Sequence, residues 1–148
     1  MRKFLCTLLA LMLVLPMAAE DSEIAFDKLP EKAQKVVQKA FPDVKVKKVE
    51  MERRASLIQY EVKMAGGAKL QFSKDGTLTE CECTKEAVPA ILIPAKIKDF
   101  MAREFPDREI RRYELDGKLY ELLLDNGDEL SFNSSFRLID IDRAVEQK

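Results

Sequence analysis

The sequence predicts an α+β fold built as a tandem repeat. Each copy is one helix packed on a four-stranded antiparallel sheet, and the two copies share a core or one continuous sheet. Three observations predict it. First, Leu29-Pro30, Phe41-Pro42-Asp43, Tyr60-Glu61-Val62 and Leu70-Gln71-Phe72 return as Ile93-Pro94, Phe105-Pro106-Asp107, Tyr120-Glu121-Leu122 and Leu130-Ser131-Phe132, and such self-similarity marks a repeat architecture. Second, each copy passes from helical to period-two patterning. Third, glycine-containing pairs separate the period-two runs, as tight hairpins require. The offset between copies is 64 at Phe-Pro-Asp (41 to 105) and 60 from the tyrosine onward (60 to 120), so one hairpin differs by four residues. The stretch Glu52 to Ser56 is expected to be that longer loop.

In the first copy Ala33, Val36, Val37, Ala40 and Phe41 form one helical stripe, with Lys32, Lys35, Gln38 and Lys39 opposite. Ile97, Phe100, Met101 and Phe105 repeat the stripe with larger side chains. Proline opens each helix, where a missing N–H is harmless, and Phe-Pro-Asp closes it, because a residue before proline is pushed out of the α region. After each helix the period becomes two. Ile58, Tyr60, Val62 and Met64, then Ala68, Leu70 and Phe72, alternate with polar residues; Tyr120, Leu122, Leu124, Leu130 and Phe132 do the same. These are strands with one buried and one wet face. Gly66-Gly67, Asp75-Gly76, Asp116-Gly117 and Asn126-Gly127 supply the turns. The first strand of each copy breaks alternation: Val46 and Val49, like Ile110 and Tyr113, are an odd number apart. A β-bulge, or a strand starting only after Val46 and Ile110, reconciles them.

A repeat of about 60 residues buries only ~60% of its unfolded surface and is marginal alone. The two are therefore expected to form one cooperative unit, residues 20–86 and 87–148. The apolar Val88, Ile91 and Leu92 suggest a packed connector between them.

Before the repeats, Arg2-Lys3 precedes an apolar run from Phe4 to Leu15 and then Pro16-Met17-Ala18-Ala19. This is the pattern of a secretory signal peptide, residues 1–19, cleaved after Ala19. The run is shorter than the roughly 20 residues a bilayer needs, so no stable membrane span is expected after cleavage. The expected location is the periplasm or outside the cell. Loss of Arg2 and Lys3 takes the net charge from −1 to −3. A mildly acidic exported chain has no overall electrostatic reason to seek nucleic acid. The chain has no histidine, which excludes Ser-His-Asp and Cys-His catalysis and every histidine-ligated metal site. No cofactor is implied.

The remaining candidates are local. Cys6 leaves with the signal peptide, leaving Cys81 and Cys83. Residues i and i+2 of an extended strand have Cα atoms about 6.5–7 Å apart, at the far limit of disulfide geometry. The readings open to the pair are a local disulfide helped by a bulge or frayed strand end, free thiols, or a metal or redox site. Asp125-Asn126-Gly127-Asp128-Glu129 and Ser73-Lys74-Asp75-Gly76 superficially resemble calcium loops, but neither has the EF-hand frame, and turn chemistry explains them. Lys45, Lys47, Lys48, Arg53 and Arg54, echoed by Arg108, Arg111 and Arg112, read as a solvated strand edge protected by charge, or as a surface for an acidic partner. Gln59, Glu61 and Lys63, with Glu121, lie on the wet faces. Leu119 and Leu123 share the face of Glu121 and could belong to a binding patch.

The duplicated Leu-Pro and Phe-Pro-Asp frame, Tyr-Glu-Val, and the run Leu-Gln-Phe-Ser-Lys-Asp-Gly resemble the exported PepSY-like, or beta-lactamase-inhibitor-like, family from about Phe26 to Asp142. The resemblance implies a helix on a four-stranded antiparallel sheet, twice, in a small periplasmic protein. Beta-lactamase inhibitory protein shares that tandem architecture and inhibits through its concave sheet and hairpin loops, and PepSY domains proper are associated with peptidase propeptides. No motif here transfers an inhibitory residue. The expected function is thus a non-enzymatic binding module for an exported protein or peptide, in its sharper form an inhibitor. The candidate face is Gln59, Glu61, Lys63, Leu119, Glu121 and Leu123, and the candidate loop holds Arg53 and Arg54. The alternatives are a thiol redox or metal protein using Cys81 and Cys83, or a small-ligand carrier.

Overall fold

The computed structural model describes residues 20–145; the expected signal peptide lies outside them. Nine strands form a single sheet in sequence order, each antiparallel to the next: β1 Glu20–Glu23, β2 Val46–Arg54, β3 Leu57–Met64, β4 Ala68–Ser73, β5 Leu78–Cys83, β6 Ile110–Asp116, β7 Leu119–Leu124, β8 Glu129–Phe132 and β9 Leu138–Asp142. Two helices, α1 Glu31–Ala40 and α2 Ala95–Glu104, cover one side, each preceded by a short 3₁₀ turn. The sheet is continuous across the two copies. Their seam is β5 against β6, where three pairs are in register: Glu80 with Glu114, Cys81 with Tyr113, and Glu82 with Arg112.

The helix stripes are where the periodicity places them. Ala33, Val37, Ile97 and Met101 are buried, with Val36, Phe41, Phe100 and Phe105 packed around them. Phe41 and Phe105 leave the helical region at φ −134° and −136°, so both helices stop before proline in the same conformation. Sheet residues of the covered side line up from β2 to β9: Val49, Val62, Leu70, Cys81, Tyr113, Leu122, Leu130 and Ile141 are successive register partners. One apolar row thus runs through both copies. Phe72 and Phe132 are fully buried in the next row, and Phe100 meets Phe132 edge-on at 5.2 Å. Burying such side chains contributes ~1.5–3 kcal/mol each.

The broken alternation in the first strands is a pair of β-bulges. Val46 faces Met64 and Lys48 faces Lys63, leaving Lys47 extra; Ile110 faces Leu124 and Arg112 faces Leu123, leaving Arg111 extra. A second pair of bulges, unforeseen from sequence, falls at Thr79 in β5 and Ile139 in β9. All four expected glycine turns place their second glycine position at positive φ, namely Gly67, Gly76, Gly117 and Gly127.

Three expectations are corrected. The sheet has nine strands, not eight, because Glu20–Glu23 pairs with Glu50–Arg53. That segment is nearly all acidic and shows no alternation of apolar residues, so it becomes a strand only because β2 offers it an edge. The stretch Glu52 to Ser56 is not a long loop. Arg53 and Arg54 lie inside β2, and the turn is Ala55-Ser56. The four extra residues lengthen β2 and β3 by two each relative to β6 and β7, and the added length of β2 is what Glu20 and Asp21 pair with. Finally, the basic runs do not guard an edge. β2 is covered by β1 and β6 is central; the true edges are short, β1 being mostly acidic and β9 carrying Asp140 and Asp142, and such charges also discourage edge-to-edge pairing.

Candidate functional site

Because successive side chains alternate, the register that builds the apolar row builds a polar row on the opposite, uncovered side. Glu23, Glu50, Glu61, Gln71, Glu80, Glu114, Glu121, Ser131 and Asp140 are successive register partners across all nine strands. Two residues along the strands runs a parallel row of Lys48, Lys63, Lys69, Glu82, Arg112, Leu123, Glu129 and Asp142. Like charges directly opposite one another are destabilising unless neutralised or solvated, and the two halves of the face meet this condition differently.

In the first copy the charges cancel among themselves. Glu50 accepts from Lys63 at 2.8 Å and from Lys48 at 2.5 Å, and Lys63 also reaches Glu61 at 3.0 Å. Hydrogen bonds from Lys48 and then Lys63 hold the Glu50 carboxyl below its ordinary range, and bonds to Glu50 and Glu61 raise the Lys63 ammonium. Lys69 pairs with Glu82 at 3.4 Å. Gln59, Glu61 and Lys63, with Glu50, Glu52 and Gln71, line a polar recess of about 320 Å³.

At the seam and in the second copy that network thins to Arg112, which reaches Glu129 at 3.4 Å. Glu80, Glu114 and Glu121 are consecutive partners on β5, β6 and β7. Among the described residues neither Glu80 nor Glu121 makes an ion pair, and Glu114 has only Arg112 at 3.9 Å. Where the first copy carries Gln59 and Lys63, the second carries Leu119 and Leu123. Leu119 is 38% exposed, and Leu123 is half-buried in the sheet surface. The face therefore brings together the expected Leu119, Glu121 and Leu123, and adds Glu80 and Glu114, which single-strand patterns did not reveal. The missing signal was strand order: Glu80 and Glu114 come from different copies and meet only at the seam.

Other expected residues lie elsewhere. Arg54 is on the bare face beside Glu52, whereas Arg53, opposite Ile58, faces the other side. Cys81 and Cys83 are on the covered side, buried, with free thiols. The calcium-like segments are occupied as turns. Asp75 accepts from Ser73 and Thr77, which bring its carboxyl down to about 2. Asp128 accepts from Ala144 N at 3.0 Å, Asn126 Nδ2 at 3.0 Å and Arg143 Nη1 at 2.8 Å. Among the described residues no group of three or more acidic or thiol side chains is placed to hold a metal ion, and no helix is long and apolar enough to cross a membrane.

The family model described as beta-lactamase-inhibitor-like, PepSY-like matches this chain twice, over residues 17–79 and 58–140. Among solved structures, a periplasmic protein from Bacteroides vulgatus is similar at 38% identity and TM-score 0.80, covering 84% of this chain and 98% of its own. A candidate calcium-regulated periplasmic protein from Bacteroides thetaiotaomicron is similar at 36% identity and TM-score 0.80, covering 83% and 97%. Another periplasmic protein of unknown function from Bacteroides vulgatus is similar at 29% identity and TM-score 0.78, covering 83% and 99%. No curated protein matches the chain. The repeated match across both halves, together with near-full-length structural relatives, places this chain in the PepSY-like family.

Proposed function

We propose that the protein is an exported, non-enzymatic binding module that receives another protein on the bare face of its sheet, centred on Glu80, Glu114, Leu119, Glu121 and Leu123. The carrying observation is the asymmetry of that face: its first-copy half neutralises its own charge, while at its seam and second-copy half Glu80 and Glu121 have no ion pair among the described residues and lie beside exposed Leu119 and half-buried Leu123. Solvent screens such carboxylates while the face is wet. Covering them requires counter-charges, since a buried unpaired carboxylate costs several kcal/mol. The partner therefore presents lysine or arginine over the carboxylates and apolar side chains over Leu119 and Leu123. The signal-like N-terminus and the periplasmic relatives support export, with cleavage after Ala19 and copies spanning 20–86 and 87–148. The finer form of the reading is inhibition of an exported hydrolase, supported by the family's beta-lactamase-inhibitor-like character. The carrier alternative has less support, because Phe72, Phe132, Leu70 and Leu130 fill the space between sheet and helices.

The test is crosslinking from a photoreactive residue at position 121 in periplasmic extract, followed by affinity measurement with the captured partner. Leu119→Ser with Leu123→Ser, and separately Glu80→Lys with Glu121→Lys, are each expected to weaken binding by about tenfold or more. Undiminished binding by both pairs overturns the reading. Measuring with and without calcium reports whether the association of the Bacteroides thetaiotaomicron relative extends to this face, and hydrolase assays with the partner report on inhibition.

A further inference from the structure

A second site lies on the covered side, where the two copies differ at matching positions. In the second copy Arg143, just after β9, reaches Asp128 at 2.8 Å and lays its guanidinium 5.8 Å over the ring of Phe105. It closes the angle between the end of α2 and the β7–β8 turn. The matching residues of the first copy are Cys83 for Arg143, Ala68 for Asp128 and Phe41 for Phe105. Among the described residues no ion pair like Arg143–Asp128 spans that angle. A cleft of about 200 Å³ remains, walled by Phe41, Pro42, Val44 and Gly66, with Ala68 and Cys83 in its lining.

Cys83 is the last residue of β5 and pairs on one side only, with Ala68. On the other side the β5–β6 ladder ends at Glu82, beside the bulge at Arg111. Cys81 lies deeper in the same strand, between Leu70 and Tyr113, and is 0% exposed. Arg111 holds Glu109 through Nη2 at 2.8 Å, while its buried Nη1 has no hydrogen-bond partner among the described residues. Arg111 and Cys83 line one further recess at the ends of β5, β6 and β7. A buried donor left over from the Glu109 pair, sharing a recess with a thiol, could be satisfied by an anion formed there.

We propose that Cys83 and Cys81 are a thiol–disulfide exchange site for small disulfides entering the first-copy cleft, Cys83 reacting first and Cys81 resolving. Cys83 gives its proton to water, and its thiolate attacks one sulfur of the small disulfide. That S–S bond breaks, and the departing thiolate takes up a proton. Cys81 then loses its proton and attacks the Cys83 sulfur, displacing the second small thiolate, which is protonated in turn. Two protein thiols are oxidised to one disulfide while the small disulfide is reduced to two thiols.

The order follows from position and charge. The interaction between the two thiols, with burial, pushes Cys81 up, whereas the same interaction brings Cys83 down, with Arg111 acting alongside it and burial, Glu86 and Glu82 acting against it. Only the thiolate is nucleophilic. The second step must draw in the end of β5, since Cα atoms two apart in a strand stand about 6.5–7 Å apart. One-sided pairing of Cys83 permits this, and a strained product is readily reduced again.

The experiment exposes the folded protein to oxidised glutathione and follows intact mass. Wild type is expected to pass through a glutathione adduct to a glutathione-free species lacking two hydrogens. Cys81→Ser is expected to stop at the adduct. Cys83→Ser is expected to react about tenfold more slowly, because Cys81 lies behind it. Circular dichroism confirms that each variant folds. Two variants keep both cysteines: Val44→Phe, which narrows the cleft, and Arg111→Gln, which removes the cation; each is expected to slow the first step severalfold. Failure of the folded wild type to react under conditions that fully modify the urea-unfolded chain overturns the proposal. So does a Cys83→Ser rate equal to wild type, or an unchanged rate in both Val44→Phe and Arg111→Gln.

Discussion

At the turn that joins β4 to β5 the first copy has Gly76, and at the matching turn between β8 and β9 the second has Phe136. Both residues adopt positive φ, 82° and 62°. At Gly76 a Cβ would stand 2.8 Å from the Cβ of Pro30 and 3.1 Å from the backbone N of Ala33, so the glycine lets α1 press directly on the turn. Lys32 then reaches Thr77 Oγ1 at 2.7 Å. In the second copy Phe136 acts as a wedge. Its ring lies 5.0 Å from that of Tyr120, with Lys96 Nζ 5.9 Å above it. The left-handed backbone costs a non-glycine residue ~1–2 kcal/mol, which contacts of this kind offset. The same backbone is thus closed once by close approach and once by added volume. A similar exchange occurs at Cys83 and Arg143, and on the bare face at Lys63 and Leu123. Backbone geometry is shared, and side-chain chemistry is what separates the copies.

The sharpest way to break the comparison is Gly76→Ala. Left-handed strain of ~1–2 kcal/mol and overpacking of ~1–3 kcal/mol act together, so a loss of about 2–5 kcal/mol is expected in urea denaturation. Because one apolar row crosses the seam, both copies should melt together at the lowered temperature. Calorimetry that instead showed two transitions, one of them at the wild-type temperature, would make the copies independent.

A smaller effect separates the copies by pH. Asp128 belongs to the second copy only, its counterpart being Ala68. Its carboxyl is held below the ordinary range by the Ala144 N–H, then by Asn126 and Arg143. A depressed folded pKa gives stability that is present above the unfolded value, about 3.9, and lost as pH falls through the folded one. Asp75 in the first copy, brought down to about 2 by Ser73 and Thr77, acts in the same direction. The urea midpoint of wild type should therefore drop between about pH 5 and 2. Asp128→Asn should lower the midpoint at neutral pH and flatten the acid slope without abolishing it, since Asp75 remains. An acid slope identical to wild type would show that the Arg143–Asp128 closure carries no stability.

Local chemistry made much of this fold legible. Proline and Phe-Pro-Asp bounded both helices, glycine-containing pairs marked the turns, and the odd spacing of Val46 and Val49 required either a bulge or a late strand start, of which the bulge is found. Non-local pairing hid the rest. The acidic β1 carries no strand pattern of its own, and the extra residues at Glu52 to Ser56 looked like a loop because strand length depends on a partner. For the candidate face, Leu119, Glu121 and Leu123 were visible from alternation within β7. Glu80 and Glu114 were not, because a row perpendicular to the strands exists only once strand order is known. The contrast between Cys83 and Arg143 was equally hidden: the thiol was noticed, but the cleft beside it appears only when the two folded copies are compared.

The finest test concerns the β2–β3 and β6–β7 turns, where the roles reverse. Here the first copy holds a non-glycine, Ala55 at φ 51°, and the second a glycine, Gly117 at φ 59°. A Cβ at Gly117 would meet nothing within 4 Å, so backbone strain alone governs that position. Ala55 is exposed, so its replacement should sacrifice little packing. Ala55→Gly relieves left-handed strain of ~1–2 kcal/mol and adds unfolded-state freedom of ~0.5–1 kcal/mol. A net gain of about 0.5–1 kcal/mol is expected in urea denaturation, with a loss of similar size for Gly117→Ala. The pair measures one backbone cost from both directions. If Gly117→Ala loses stability while Ala55→Gly gains none, the longer hairpin of the first copy, braced by β1 along Glu50 to Arg53, must already hold Ala55 in place at no net cost.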